Sequence, residues 1–206
     1  KAVEPNTIQQ TARVPNDPRL NEQYSLINTG QVIPLQGGLP GTLGADIHAA
    51  QAWDTTIGSR DVIIAVIDTG VDYTHPDLER NIWVNPGEIA GDGIDNDGNG
   101  FVDDVHGFDF GEQDADPMDR AGHGTMCSGV IGAVGDNGQG ISGVAWAVQI
   151  MGLKIADAFG RLSTAAIIGA HETRHRLCVE VLFLILCPLV FRVCRDNSRI
   201  MKALWD

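Results

Sequence analysis

Residues 61–78 read DVIIAVIDTGVDYTHPDL, and the fold turns on them. Val62 to Ile67 form an unbroken apolar run, mostly β-branched. Such a run suits a strand buried on both faces, as in parallel sheets covered by helices. The run stops at Asp68, with Thr69 and Gly70 directly behind it. An acid just past the carboxyl end of a buried parallel strand stands where open α/β sheets place their ligand crevices. The simpler alternative is that Asp68 only closes a turn through its own side chain.

A second stretch, AGHGTMCSGVIGA at residues 121–133, adds a partner for that acid. His123 lies between Gly122 and Gly124, which leave room for another chain segment to approach. Gly129, Gly132 and Ala133 follow at helical spacing, which predicts a tightly packed buried helix starting at the histidine. A helix N-terminus disfavours imidazolium and holds the ring neutral, as a general base requires. A buried carboxylate nearby would pull the other way and fix the tautomer.

Together the two stretches resemble the subtilisin-like serine proteases, the subtilases, over roughly residues 3–170. In that family V-I-D-T-G-V-D-x-x-H-P-D-L carries the triad aspartate, matched by Asp68, and H-G-T-x-x-x-G carries the triad histidine, matched by His123. The resemblance implies an α/β, three-layer, doubly wound parallel sheet, truncated here, and serine endopeptidase chemistry on a peptide or protein substrate. It further implies a secreted or extracellular setting and an inhibitory propeptide, whose end resembles Val3–Asn6. Residues 1–18 are accordingly expected to be a propeptide remnant or linker, with a cleavage point near Arg13 to Asp17. Asp77 matches a position that often binds calcium in the family; the alternative is that it caps a short helix.

Residues 92–104, DGIDNDGNGFVDD, form a third signal. Asp95, Asp97 and Asn99 alternate, Gly100 supplies a sharp bend, and Asp92 and Asp103 flank the group. Spaced oxygens on a glycine-bent loop suit a hard, oxygen-seeking cation such as calcium. The carboxylates Asp92, Asp95, Asp97, Asp103 and Asp104 repel one another unless a cation neutralises them. The loop is not an EF-hand: the twelfth position from Asp95 is His106 rather than Glu. A solvated polar hairpin is the alternative.

Elsewhere Asp46 to Trp53 is expected as a helix capped by Asp46, with Ile47, Ala50 and Trp53 on one face. Residues 105–120 are expected as a loop delivering the chain to His123, residues 148–157 as a second buried parallel strand, and Ser163 as the cap of a further helix.

The composition breaks at residue 170. Residues 1–170 carry 8 Lys+Arg and 23 Asp+Glu, whereas residues 171–206 carry 6 and 4. All 25 glycines precede the break, and three of the four cysteines follow it. The acidic body argues against nucleic acid or an anionic membrane as partner. The resemblance ends at this break and implies that residues 19–170 are the amino-terminal portion of a catalytic domain; 171–206 are expected to be an aberrant tail from a frameshift, a retained intron or a gene-model error, with a genuine alternative tail as the other reading. Its apolar LFLILC run is an expected aggregation liability. The chain starts at Lys1 rather than Met, so its natural beginning is expected to lie upstream, and no signal peptide is visible.

The family's nucleophile sits in a G-T-S-M-A stretch that is missing here. The six serines are Ser25, Ser59, Ser128, Ser142, Ser163 and Ser198, and none has that context. The family's oxyanion asparagine and substrate strand are also absent. An inactive relative and a calcium-binding structural module stand as the alternative functions.

Overall fold

The computed structural model describes residues 12–33 and 38–173, and the backbone of 181–184. A short antiparallel pair, β1 (Val32–Ile33) and β2 (Leu39–Pro40), comes first. Helix α1 (Ala49–Thr55), strand β3 (Gly58–Asp68), strand β4 (Gly107–Asp109), helix α2 (His123–Gly132), strand β5 (Ala147–Lys154), helix α3 (Thr164–Glu172) and strand β6 (Val181–Leu184) follow.

The main sheet has the order β4-β5-β3-β6, and each neighbouring pair is parallel. The chain thus winds outward from β3 to β4, fills the gap with β5, and crosses to the far side with β6. That is the α/β arrangement the apolar run implied. Ala65, Val66 and Ile67 are fully buried, as are Ile150, Met151 and Leu153 of β5. One face of the sheet packs Ala65, Ile67, Met151 and Leu153 with Phe108, Phe110 and α3 residues Ala166 and Ala170. The other packs Val66, Val148 and Ile150 with Val71, Leu78 and Ile82. Alternate side chains of β3 and β5 feed opposite layers, as the pleat requires.

Several expectations need correction. α1 begins at Ala49, and Asp46 does not cap it. The Asp46 carboxylate instead accepts hydrogen bonds from the backbone N–H groups of Asn28 and His48. His48 stands at the N-cap in the left-handed region (φ 57°). Ala50 and Trp53 are buried as expected, whereas Ile47 is exposed. Residues 105–120 hold strand β4, too short to show a period in sequence. Ser163 does cap α3, accepting from the Ala166 N–H at 3.0 Å.

The amino-terminal segment from Arg13 is tied to the body. Arg13 N–H donates to Asp54, Asn16 N–H donates to Asp136, and the buried Asp17 accepts from the N–H groups of Asp136 and Asn137. Residues 13–17 thus pack against the body of the domain. Val3–Asn6 lies outside the described residues.

Val181–Leu184 of the expected aberrant tail pair in parallel with Ile64–Ile67 of β3, so this piece occupies a place in the sheet. The rest of the tail beyond Thr173 lies outside the described residues.

Candidate active site

Asp68 ends β3 and is 4% exposed. The chain must leave the strand sharply there. Gly70 takes φ 115°, and a side chain on it would strike the Pro117 carbonyl, to which Val71 N–H is bonded at 2.9 Å. This conformation is open to glycine and strained for other residues.

His123 is the first residue of α2, preceded by Gly122 with φ 88°. Its Nδ1 lies 2.7 Å from Asp68 Oδ1 and 2.8 Å from Oδ2. The tautomer that pairs with a carboxylate carries its proton on Nδ1, leaving Nε2 as the basic atom. Thr69 N–H donates to the same Asp68 Oδ1 at 2.6 Å. The two glycines beside His123 have different reasons: Gly124 allows close approach, whereas Gly122 supplies the backbone angle in open space.

The His123 pKa is raised above its ordinary value. The hydrogen bond to Asp68 is the main cause; burial opposes it, and the charges of Asp68 and Asp119 add to it. The helix N-terminus was expected to hold the ring neutral, but a full charge in direct contact outweighs the partial charge of a helix end. Cys127, one turn along α2, places its Sγ 3.9 and 4.0 Å from the two ring nitrogens. Ser128 is buried in α2, five residues on from His123, and so about 140° around the helix from it.

Asp77 does not cap a helix. The short 3-10 turn at Glu79–Asn81 starts after Leu78, and its cap receives no side-chain hydrogen bond. Asp77 is 2% exposed and accepts from Asn137 Nδ2 at 2.8 Å and from Ile141 N–H at 2.9 Å. Asp17, a partner that the sequence did not suggest, stands on the same 136–141 loop. Burial raises the pKa of both, and the charge of Asp17 raises Asp77 further. Among the described residues no ion pair neutralises either carboxylate. Asn137 touches both acids, Asp77 through its side-chain amide and Asp17 through its backbone N–H, and two buried carboxylates fit a hard cation by their donor chemistry.

In the acidic loop, Asp95 and Asp97 come together with Glu88, with ligand oxygens within 4.8 Å of one another. Glu88 lies outside the 92–104 stretch and was missed; its spacing from Asp95 carries no periodic signal. Asp92 and Asp103 are not in that group. Asp103 accepts from Gly91 and Gly93 N–H, and Asp92 from Ile94 N–H and Asn96 Nδ2, so both shape the loop. Asn99 uses its amide to bridge Asp97 and the buried Asp104. Burial of Asp104 pushes its pKa to about 6, with Asn85 and Asn99 opposing and the charges of Asp97 and Glu88 adding.

The start of α2 thus lies over the end of a central parallel strand, where a carboxylate and an imidazole are paired at 2.7 Å. The model of the subtilase family, peptidase S8, matches residues 59–178, and the chain belongs to that family of serine proteases. Subtilisin-like protease 1 of Plasmodium vivax is 57% identical over 82 residues, covering 39% of this chain and 13% of that protein. A thermophilic serine proteinase of Bacillus sp. (strain AK1) is 34% identical over 159 residues, covering 77% of this chain and 30% of that protein. The chain thus spans less than a third of either relative. Among solved structures, the serine protease of Aeromonas sobria in complex with a chaperone superposes with a TM-score of 0.61 at 22% identity, over 94% of this chain and 31% of that one. At that identity the likeness speaks for the fold alone.

Proposed function

We propose that this chain carries the acid–base half of a serine endopeptidase site acting on peptide or protein substrates. Asp68 holds the His123 ring and stabilises its cation. His123 Nε2 takes the proton of a serine hydroxyl and returns it to the leaving amine. The observation that supports this best is the 2.7 Å contact between His123 Nδ1 and Asp68 Oδ1. The 206-residue polypeptide by itself is expected to be inactive, because no serine among the described residues has the family's context and Ser128 faces away from the ring. We further propose that the natural setting is extracellular and that a propeptide is the first partner. No helix among the described residues is long and apolar enough to cross a membrane.

The test has two arms. The 206-residue chain should give no turnover of a fluorogenic peptide. A longer polypeptide, in which residues 59–170 are followed by the remainder of a subtilase domain with its serine, should cleave the peptide, and His123→Ala should abolish that cleavage. Activity indifferent to His123→Ala would overturn the assignment.

Calcium is the proposed metal. Glu88, Asp95 and Asp97, supported by Asn99, would hold one ion, and Asp77 with Asp17 and Asn137 would hold another. The approach of the Glu88, Asp95 and Asp97 oxygens within 4.8 Å supports the first site, and the burial of Asp17 and Asp77 with no ion pair among the described residues supports the second. When bound, the ions would neutralise like charges and stiffen the loops that lead to Asp68 and His123.

A further inference from the structure

One carboxylate outside the Asp68–His123 pair binds residues adjoining both of its members. Asp119 Oδ1 accepts from Thr69 Oγ1 at 3.0 Å and from the N–H groups of Ala121 and Gly122 at 2.9 Å each. Its Oδ2 accepts from Thr125 N–H at 2.9 Å and Thr125 Oγ1 at 2.7 Å. Thr69 is the residue after Asp68; Ala121 and Gly122 precede His123, and Thr125 follows it in the first turn of α2. The net closes on itself. Thr69 Oγ1 accepts from Gly124 N–H at 2.9 Å, and Thr125 Oγ1 accepts from Asp72 N–H at 2.9 Å.

We propose that Asp119 is a positioning residue that fixes the register between the β3 terminus and the α2 start, and through it the Asp68–His123 contact. Bonds to an ionised carboxylate are short and strong. Five of them converge here from segments that flank both members of the pair. A local turn closure would need only the Ala121 and Gly122 bonds. The Thr69 bond, spanning 50 residues of sequence, joins the strand end to the loop that precedes the helix. This inference rests on the reading of Asp68 and His123 as the acid–base pair.

The experiment uses proton NMR of the whole chain, following the downfield Nδ1 proton of His123. Asp119→Asn keeps the Oδ1 acceptor and presents an N–H₂ group to Thr125. Solvent exchange of the Nδ1 proton should accelerate on the order of ten-fold, as expected for the loss of charge-assisted bonds. Thr69→Val should act in the same direction, and Thr69→Ser, which keeps the hydroxyl, should restore the parent rate. An Asp119→Asn variant that is less stable but keeps the parent exchange rate would reduce Asp119 to a local cap and overturn the proposal. If Asp119→Asn does not fold, the Thr69→Val and Thr69→Ser pair decides, and equal rates in those two overturn it. Asp68→Asn serves as the separate check: if the downfield proton persists there unchanged, the Asp68–His123 assignment itself fails.

Discussion

Gly124 faces the carbonyl of Gly70 so closely that a methyl group on it would stand 2.1 Å from that oxygen and 3.0 Å from the Asp68 Cβ. The α2 start thus rests directly on the backbone that carries the acid. Neither partner in this contact has a flexible end. Gly124→Ala should therefore force α2 away from β3 and cost about 1–3 kcal/mol, toward the upper end. Denaturant unfolding measures the cost. The same variant should lose the downfield His123 proton. A change below about 0.5 kcal/mol would contradict the packing described.

The Asp68–His123 pair gives stability a definite pH dependence. The folded pKa of His123 is raised by the hydrogen bond to Asp68. The contribution is therefore fully present below the unfolded value near 6.5 and is lost as pH climbs through the higher folded value. The stability difference between the parent chain and His123→Gln should be larger at about pH 5 than at about pH 9. Urea unfolding at both pH values checks the sign, and the reverse order would refute it.

Lys154 Nζ lies 2.6 Å from Asp109 Oδ2, with side chains 3% and 0% exposed, and 3.6 Å from Glu112. This buried pair joins the ends of β4 and β5 next to Asp68, which is in register with Lys154. Removing one partner leaves a charge without compensation. Lys154→Met should cost about 3–5 kcal/mol, and adding Asp109→Leu should recover much of that loss. A double-mutant cycle by thermal unfolding reads the coupling, which is absent if the two effects simply add.

The proposed calcium site separates the members of the acidic loop into ligands and loop-shaping residues. Asp97→Ala should weaken binding roughly ten-fold or more, because Asp97 belongs to the cluster with Glu88 and Asp95. Glu88→Ala should do the same, although it lies outside the aspartate-rich stretch. Isothermal titration calorimetry of the whole chain is the measurement, and an isotherm unchanged by both variants would remove the site.

The sequence by itself determined the central strand, the helix behind His123 and the pairing of Asp68 with His123. Those signals are local: a run of β-branched residues, glycines at helical spacing, and two motifs long enough to carry their own geometry. Tertiary structure decided what depends on distant partners. Asp46 looks like a helix cap until Asn28 N–H draws its carboxylate away. Asp17 joins Asp77 only because the amino-terminal segment packs on the 136–141 loop, about 120 residues further on. The three residues of β4 are a strand only because β5 offers them an edge. Asp119 carries no motif that was read, and its role exists only where the end of β3 meets the start of α2. A carboxylate binds whichever N–H or O–H groups the fold delivers to it, and only packing of the whole chain settles which groups those are.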